Sequence, residues 1–135
     1  ELNDPDGVLS LLIKDKPNLI VLAGFLLKFP KGILDEFPNK VINIHPALLP
    51  KYGGKGMYGR YVHEAVIKNQ ESESGISIHY VNEFYDEGAI IFQKSIPVVM
   101  EDTPDSLAEK IHQLEYRHFP KVVEEVLFSE ERNDQ

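Results

Sequence analysis

LIVLAG, residues 19–24, is a continuous apolar run that closes on a glycine. A run without polar alternation is the pattern of a parallel strand buried on both faces, and Gly24 marks a strand end where a ligand or another backbone comes close. The run VINIH at 41–45 repeats the pattern, after a short helical stretch at 31–37 and a Pro38-Asn39 turn. Upstream, Asn3 or Asp4 caps a short helix that Pro5 opens and Pro17-Asn18 ends, with Val8, Leu9, Leu11 and Leu12 as its apolar side. Helix and strand in alternation predict an α/β domain.

Downstream, residues 46–59 form a long loop rich in Pro and Gly, and residues 60–69 a helix with Val62, Ala65 and Val66 on one side. Ile76, Ile78 and Tyr80 alternate with Ser77, His79 and Val81, which predicts a strand from Gly75 to Val81. A polar loop, Asn82 to Gly88, leads into a strand from Ile90 to Ile96 that Pro97 stops. Thr103-Pro104 is a helix start, a hydroxyl cap followed by proline at the first helical position. Leu107, Ile111 and Leu114 follow at helical spacing, Pro120 kinks or restarts the helix, and Val122, Val123, Val126 and Leu127 continue the stripe. Residues 129–135 read as a frayed polar tail. There is no internal repeat and no linker, so residues 1–135 read as a single domain.

Composition removes several classes of function. The chain has 135 residues, enough for one domain with a core, and 42% of them are hydrophobic, as in an ordinary globular protein. No stretch is long and apolar enough for a membrane span, and the opening residues do not read as a signal peptide. With no cysteine, disulfides, thiolate metal sites and a cysteine nucleophile are excluded, and the cytoplasm is the expected compartment. A net charge of -8 with no Lys/Arg cluster argues against a nucleic-acid partner. The chain opens on Glu1 and runs straight into helix then strand, which reads as the middle of an α/β domain with a piece missing upstream.

Chemistry concentrates in two places. Asn43 and His45 lie two apart on a strand and so leave the same face at its carboxyl end, where open α/β sheets bind ligands. An amide donor can meet a developing oxyanion, and an imidazole can move a proton near neutral pH. The same two residues also read as satisfied polar caps at a strand end. Asp86, in the loop Tyr85-Asp86-Glu87-Gly88, would favour a protonated histidine if the two met, and otherwise reads as a turn aspartate.

Two patterns point away from other chemistries. Gly54-Lys55-Gly56-Met57-Tyr58-Gly59 matches G-x-G-x-x-G, but Pro46 to Tyr52 separate it from the strand and no acidic strand end follows, so it reads as a flexible loop beside the site and no dinucleotide is expected. His45, His63, His79, His112 and His118 show no metal-ligand spacing, so no metal is expected; His63 and His118 read as surface helix residues. No G-x-S-x-G nucleophile motif is present.

The run VINIHPALLPKYGGKGMYG resembles the substrate loop of glycinamide ribonucleotide formyltransferases. GISIHYVNEFYDEGAIIFQ resembles that family's signature, Gly-x-Ser-Ile-x-Tyr-Val followed by Asp-x-Gly, and Leu22-Ala23-Gly24-Phe25 matches its strand end beside the folate. The resemblance runs from about Leu19 to Leu127, with several motifs in the family's order. It implies a doubly wound, Rossmann-like α/β fold with a mixed sheet, and a catalytic trio falling on Asn43, His45 and Asp86. The family's folate site falls on Leu26, Leu27, Lys28 and Phe29, on Asn43, and on Asn82, Glu83, Phe84, Tyr85 and Asp86. Its ribonucleotide site falls on Gly24, His112, Gln113, Leu114 and Glu115, though Glu115 by itself reads as a solvated helix residue. His79 reads either as a buttress of the site or as a buried structural residue. The family begins with a strand and a glycine-rich phosphate loop that do not occur in this sequence, so the chain resembles an enzyme lacking its N-terminal portion.

The resemblance implies transfer of a formyl group from 10-formyltetrahydrofolate to the amine of glycinamide ribonucleotide in purine synthesis, with no metal, nucleic acid or membrane, by a monomer or homodimer. Asn43 and a protonated His45 would donate to the tetrahedral oxyanion while Asp86 keeps His45 charged. Relatives with the same trio remain as alternatives. A methionyl-tRNA formyltransferase would carry an RNA-binding domain and a basic surface. A formyltetrahydrofolate deformylase differs after the histidine, and the GGKGMYG loop argues against sugar-nucleotide formyltransferases. A non-catalytic folate-binding module is the alternative from another class.

Overall fold

The computed structural model describes residues 5–23, 29–84 and 86–133. Helix α1 (Pro5–Asp15) leads to strand β1 (Ile20–Ala23), helix α2 (Lys31–Glu36) to β2 (Val41–His45), and helix α3 (Arg60–Lys68) to β3 (Glu73–Tyr80). Strand β4 (Ile90–Pro97) and helix α4 (Pro104–Asn133) follow. The strands form one mixed sheet in the order β1-β2-β3-β4. β1 and β2 are parallel, and β3 is antiparallel to both β2 and β4.

Side-chain alternation along β2 divides the core into two layers. Ile42 and Ile44 pack with Ile76 and Ile78 of β3, Val62 and Val66 of α3, and Leu107 and Ile111 of α4. Val41, on the opposite face, packs with Phe29, Ile33 and Phe37, and with Val8, Leu9 and Leu12 of α1. Helices therefore cover both faces, the doubly wound arrangement that the sequence resemblance implies. Burial of a residue such as Ile42 or Ile78 contributes about 1.5–3 kcal/mol.

Three expectations are corrected. Among the described residues β1 is an edge strand, and it is not buried on both faces: Ile20 and Leu22 pack inward, while Val21 is 43% exposed. Its apolar run resembles that of β2, but burial depends on neighbours, and among the described residues β1 has one. Pro120 does not restart α4, which runs as a single helix through it. Leu114, before the proline, and Val122 and Val126, after it, bury in the same cluster. Helix also replaces the expected frayed tail as far as Asn133.

The start of α4 is as read. Thr103 Oγ1 accepts from the Ser106 N–H at 3.1 Å, and Pro104 is the first helical residue. The caps expected at Asn3 or Asp4 lie outside the described residues. Among the described residues no helix is long and apolar enough to cross a membrane.

Candidate active site

The ladder of β1, β2 and β3 sets out the site. Leu22 pairs with Asn43, and Asn43 with His79, so the three residues form one row across the sheet. His45 pairs with Ser77 in the next row. Asn43, His45, Ser77 and His79 share the face opposite Ile42, Ile44, Ile76 and Ile78, by the strand period of two.

Ser77 is buried at the centre of a hydrogen-bond hub. Its Oγ donates to the Ala47 carbonyl at 2.7 Å and accepts from the Leu49 N–H at 3.0 Å and from Gln93 Nε2 at 2.8 Å. Gln93 Nε2 also donates to the Leu49 carbonyl at 2.9 Å. The chain leaving His45 is thereby tied to β3 and β4. It turns at Tyr52, which adopts a left-handed φ of 58°, and the Tyr52 carbonyl lies 2.6 Å from His45 Nε2.

The partners assign the tautomers, because a carbonyl only accepts. His45 Nε2 carries the proton that Tyr52 accepts, and Nδ1 faces Asp86 Oδ1 at 3.5 Å. His79 Nδ1 donates to the Tyr80 carbonyl at 2.9 Å, so in the neutral ring its Nε2 accepts from Asn43 Nδ2 at 3.2 Å. That bond uses one of the two Asn43 N–H groups. Asn43 Oδ1 is sealed without a partner among the described residues.

Asp86 is held from three sides. Its Oδ2 accepts from the Gly54 N–H at 3.0 Å, and Oδ1 lies 3.5 Å from His45 Nδ1 and 3.6 Å from His79 Nε2. Gly88 fixes the end of this loop, since a Cβ there would collide with the Tyr80 carbonyl. Burial pushes the Asp86 carboxyl up, but His79, His45 and the Gly54 N–H outweigh it and hold the group below the usual carboxylate range. For His45 burial wins: the imidazole is pushed down, although Asp86 and the Tyr52 carbonyl favour its charged form. The Nε2 N–H of the ring is occupied by the Tyr52 carbonyl.

These groups open into a cavity of about 250 Å³. Leu22, Phe29, Val81 and Phe84 give it an apolar wall; Asn43, His45, His79 and Asp86 lie beside it. The glycine-rich loop is another wall, through Gly54, Gly56, Met57, Tyr58 and Gly59, so it lies beside the site as read. His63, His112 and Glu115 line it from α3 and α4. Burial raises the Glu115 carboxyl, against the opposing pull of His112.

The expected binding residues divide. Phe29, Phe84, His112 and Glu115 line the cavity. Leu114 does not, because its helical position turns it into the core, and Gln113 is exposed away from it. Asn82 turns the loop instead, its Oδ1 accepting from the Phe84 N–H at 2.9 Å, and Glu83 is exposed. Gly24, Leu26, Leu27, Lys28 and Tyr85 lie outside the described residues.

His63 and His118 correct the sequence reading. His63 is only 3% exposed, and it lies three residues before Val66, on the buried side of α3. His118 is half-buried against Phe92, ring centroids 5.2 Å apart. Ser77, Gln93 and Tyr52 were missed as supports of the site, since their roles depend on pairing and turn geometry with no local signal. Among the described residues, no group of three or more His, Asp or Glu could hold a metal ion.

A family model described as formyl transferase matches residues 3–123. The chain is 41% identical over 119 residues to the chloroplastic phosphoribosylglycinamide formyltransferase of Arabidopsis thaliana, covering 88% of this chain and 41% of that protein. It is 35% identical over 121 residues to the phosphoribosylglycinamide formyltransferase of Bacillus subtilis, covering 90% of this chain and 60% of that one. The crystal structure of the enzyme of that name from Anaplasma phagocytophilum superposes with a TM-score of 0.83 at 33% identity, over 93% of this chain and 58% of that chain. The chain thus spans about two fifths of the plant relative and three fifths of the Bacillus one.

Proposed function

The chain belongs to the formyl transferase family, and from that premise we propose that it forms the folate-facing catalytic part of a protein that transfers a formyl group from 10-formyltetrahydrofolate to the amine of glycinamide ribonucleotide. The observation that carries this reading is the convergence of Asn43, His45 and Asp86 beside one cavity at the carboxyl end of β2. The names of the Arabidopsis and Bacillus relatives support the choice of acceptor.

The cavity fits the co-substrate. Leu22, Phe29, Val81 and Phe84 offer an apolar wall to a planar heterocycle, and Asn43 Oδ1, unpaired among the described residues, fits a ligand that brings a donor. The acceptor would lie toward His112 and Glu115.

In the reaction the amine nitrogen attacks the formyl carbon, a C–N bond forms, and the carbonyl electron pair moves onto oxygen. The second N–H of Asn43 is available to that oxygen, because the first is held by His79. New negative charge in a dry site favours an imidazolium. The proton that the attacking nitrogen sheds is taken up by His45 at Nδ1, and the N–H so formed donates to the Asp86 carboxylate. The carbonyl re-forms as the bond to the folate nitrogen breaks, and His45 returns the proton to that nitrogen. Asp86, fixed by the Gly54 N–H, stays anionic throughout.

Formyl transfer by the intact protein tests the reading, with 10-formyltetrahydrofolate and either glycinamide ribonucleotide or water as acceptor. Turnover that requires the ribonucleotide is the expected result. Turnover with water alone would make the protein a deformylase, and no turnover with either would leave a binding module.

A further inference from the structure

His63 has a position that packing does not account for. It is buried on α3 beside Val62, yet its Nδ1 is sealed without a hydrogen-bond partner among the described residues. A sealed, unpaired polar atom costs stability, and an apolar side chain of similar size would fill the space without that cost. The same ring lines the cavity that holds Asn43, His45 and Asp86.

Its surroundings define what it can do there. Burial, then the charges of His112 and His45, push the ring down to about 4. His45, His63 and His112 line the same cavity, and His63 stays neutral wherever an amine is a useful nucleophile. A neutral imidazole presents one lone pair and one N–H. A carboxylate in its place would hold the amine as an ammonium ion, which has no lone pair to attack with.

We propose that His63 contacts the acceptor substrate: a ring nitrogen accepts a hydrogen bond from the acceptor's primary amine and turns the amine lone pair toward the formyl carbon. The inference rests on the formyl-transfer reading above and deepens it on the acceptor side. His63 takes up no proton in this role. It selects a neutral amine over water, because water gains less from a single fixed acceptor than an amine anchored at its far end.

The test uses the intact protein with His63→Leu, His63→Met and His63→Gln. Four quantities are measured for each: the unfolding temperature, tetrahydrofolate affinity, and kcat and KM for glycinamide ribonucleotide. The Leu and Met variants are expected to unfold at or above the wild-type temperature and to bind tetrahydrofolate normally. Their kcat/KM for the ribonucleotide should fall about tenfold to a hundredfold, and His63→Gln, which keeps a neutral acceptor, should recover part of it. Wild-type kcat/KM in a folded Leu or Met variant would make His63 a core residue and overturn the inference while leaving formyl transfer intact. Absence of ribonucleotide-dependent turnover in the wild type would overturn both.

Discussion

The carbonyl of Tyr52 accepts a hydrogen bond from His45 Nε2 at 2.6 Å, which turns the other ring nitrogen toward Asp86. A residue in a left-handed turn thus decides which nitrogen of the histidine meets the carboxylate. The bond also places the chain after His45 over the end of the sheet, where the glycine-rich loop can reach Asp86.

His45→Ala in the intact protein removes the group that answers the developing charge, and Asn43→Ala removes the donor to the oxygen itself. Each should lower kcat by about 10²–10³. Asn43→Ala also leaves His79 Nε2 without its partner, so it should cost some stability as well. Steady-state rates on both variants check this, and a His45→Ala enzyme with near-normal kcat would remove His45 from the mechanism.

Ser77→Ala tests whether the hub beneath the loop matters. The substitution leaves the Leu49 N–H without its acceptor and the Ala47 carbonyl without its donor, in a site with no exposure. The expected loss is about 1–3 kcal/mol of stability, with a fall in kcat because the chain from His45 to Tyr52 loosens. Ser77→Thr keeps the hydroxyl and should lose less by both measures, as denaturant unfolding and rates would reveal.

The strands were legible because the signal of a buried strand is local: VINIH is apolar where it faces the helices and polar only at Asn43 and His45. The two-residue spacing put those side chains on one face, and the structure keeps them there. The encounter of His45 with Asp86 was not legible, because it depends on the β2–β3 register and on a loop 41 residues away in the chain. β1 carried the same apolar signal as β2 and was read as equally buried; exposure at Val21 follows from its neighbours, not its composition. His63 was readable in principle. Its spacing to Val66 sets it on the apolar side of α3, although histidine is usually found at polar positions.

Gly88→Ala probes the other support of Asp86. The added methyl would collide with the Tyr80 carbonyl, where backbone rather than a flexible side chain must move. The loop carrying Asp86 would then shift away from the end of β3. Overpacking of this kind costs about 1–3 kcal/mol, and the displaced carboxylate should lower kcat as well. A crystal structure and rate measurements on the variant check both, and normal turnover would mean that the position of Asp86 tolerates movement of its loop.

His63 gives the stability of the protein a pH dependence whose sign is fixed. Its folded pKa is pushed down to about 4 from an ordinary value of 6.5. Above pH 6.5 the ring is neutral in both states, and its titration costs the fold nothing. As pH falls below 6.5 the unfolded chain takes up a proton that the native state refuses, so stability declines until the native ring titrates near 4. Since the residue is only 3% exposed, the loss at pH 5 should be about 1–2 kcal/mol. His45, also pushed down by burial, adds to the decline in the same direction. Urea unfolding of wild type and His63→Leu at pH 7 and pH 5 isolates the contribution, because the variant keeps His45 and loses only the His63 part. The stability lost between the two pH values should be smaller in the variant by about 1–2 kcal/mol; an equal loss in both proteins would mean that His63 titrates normally and that its ring is not shut away from water.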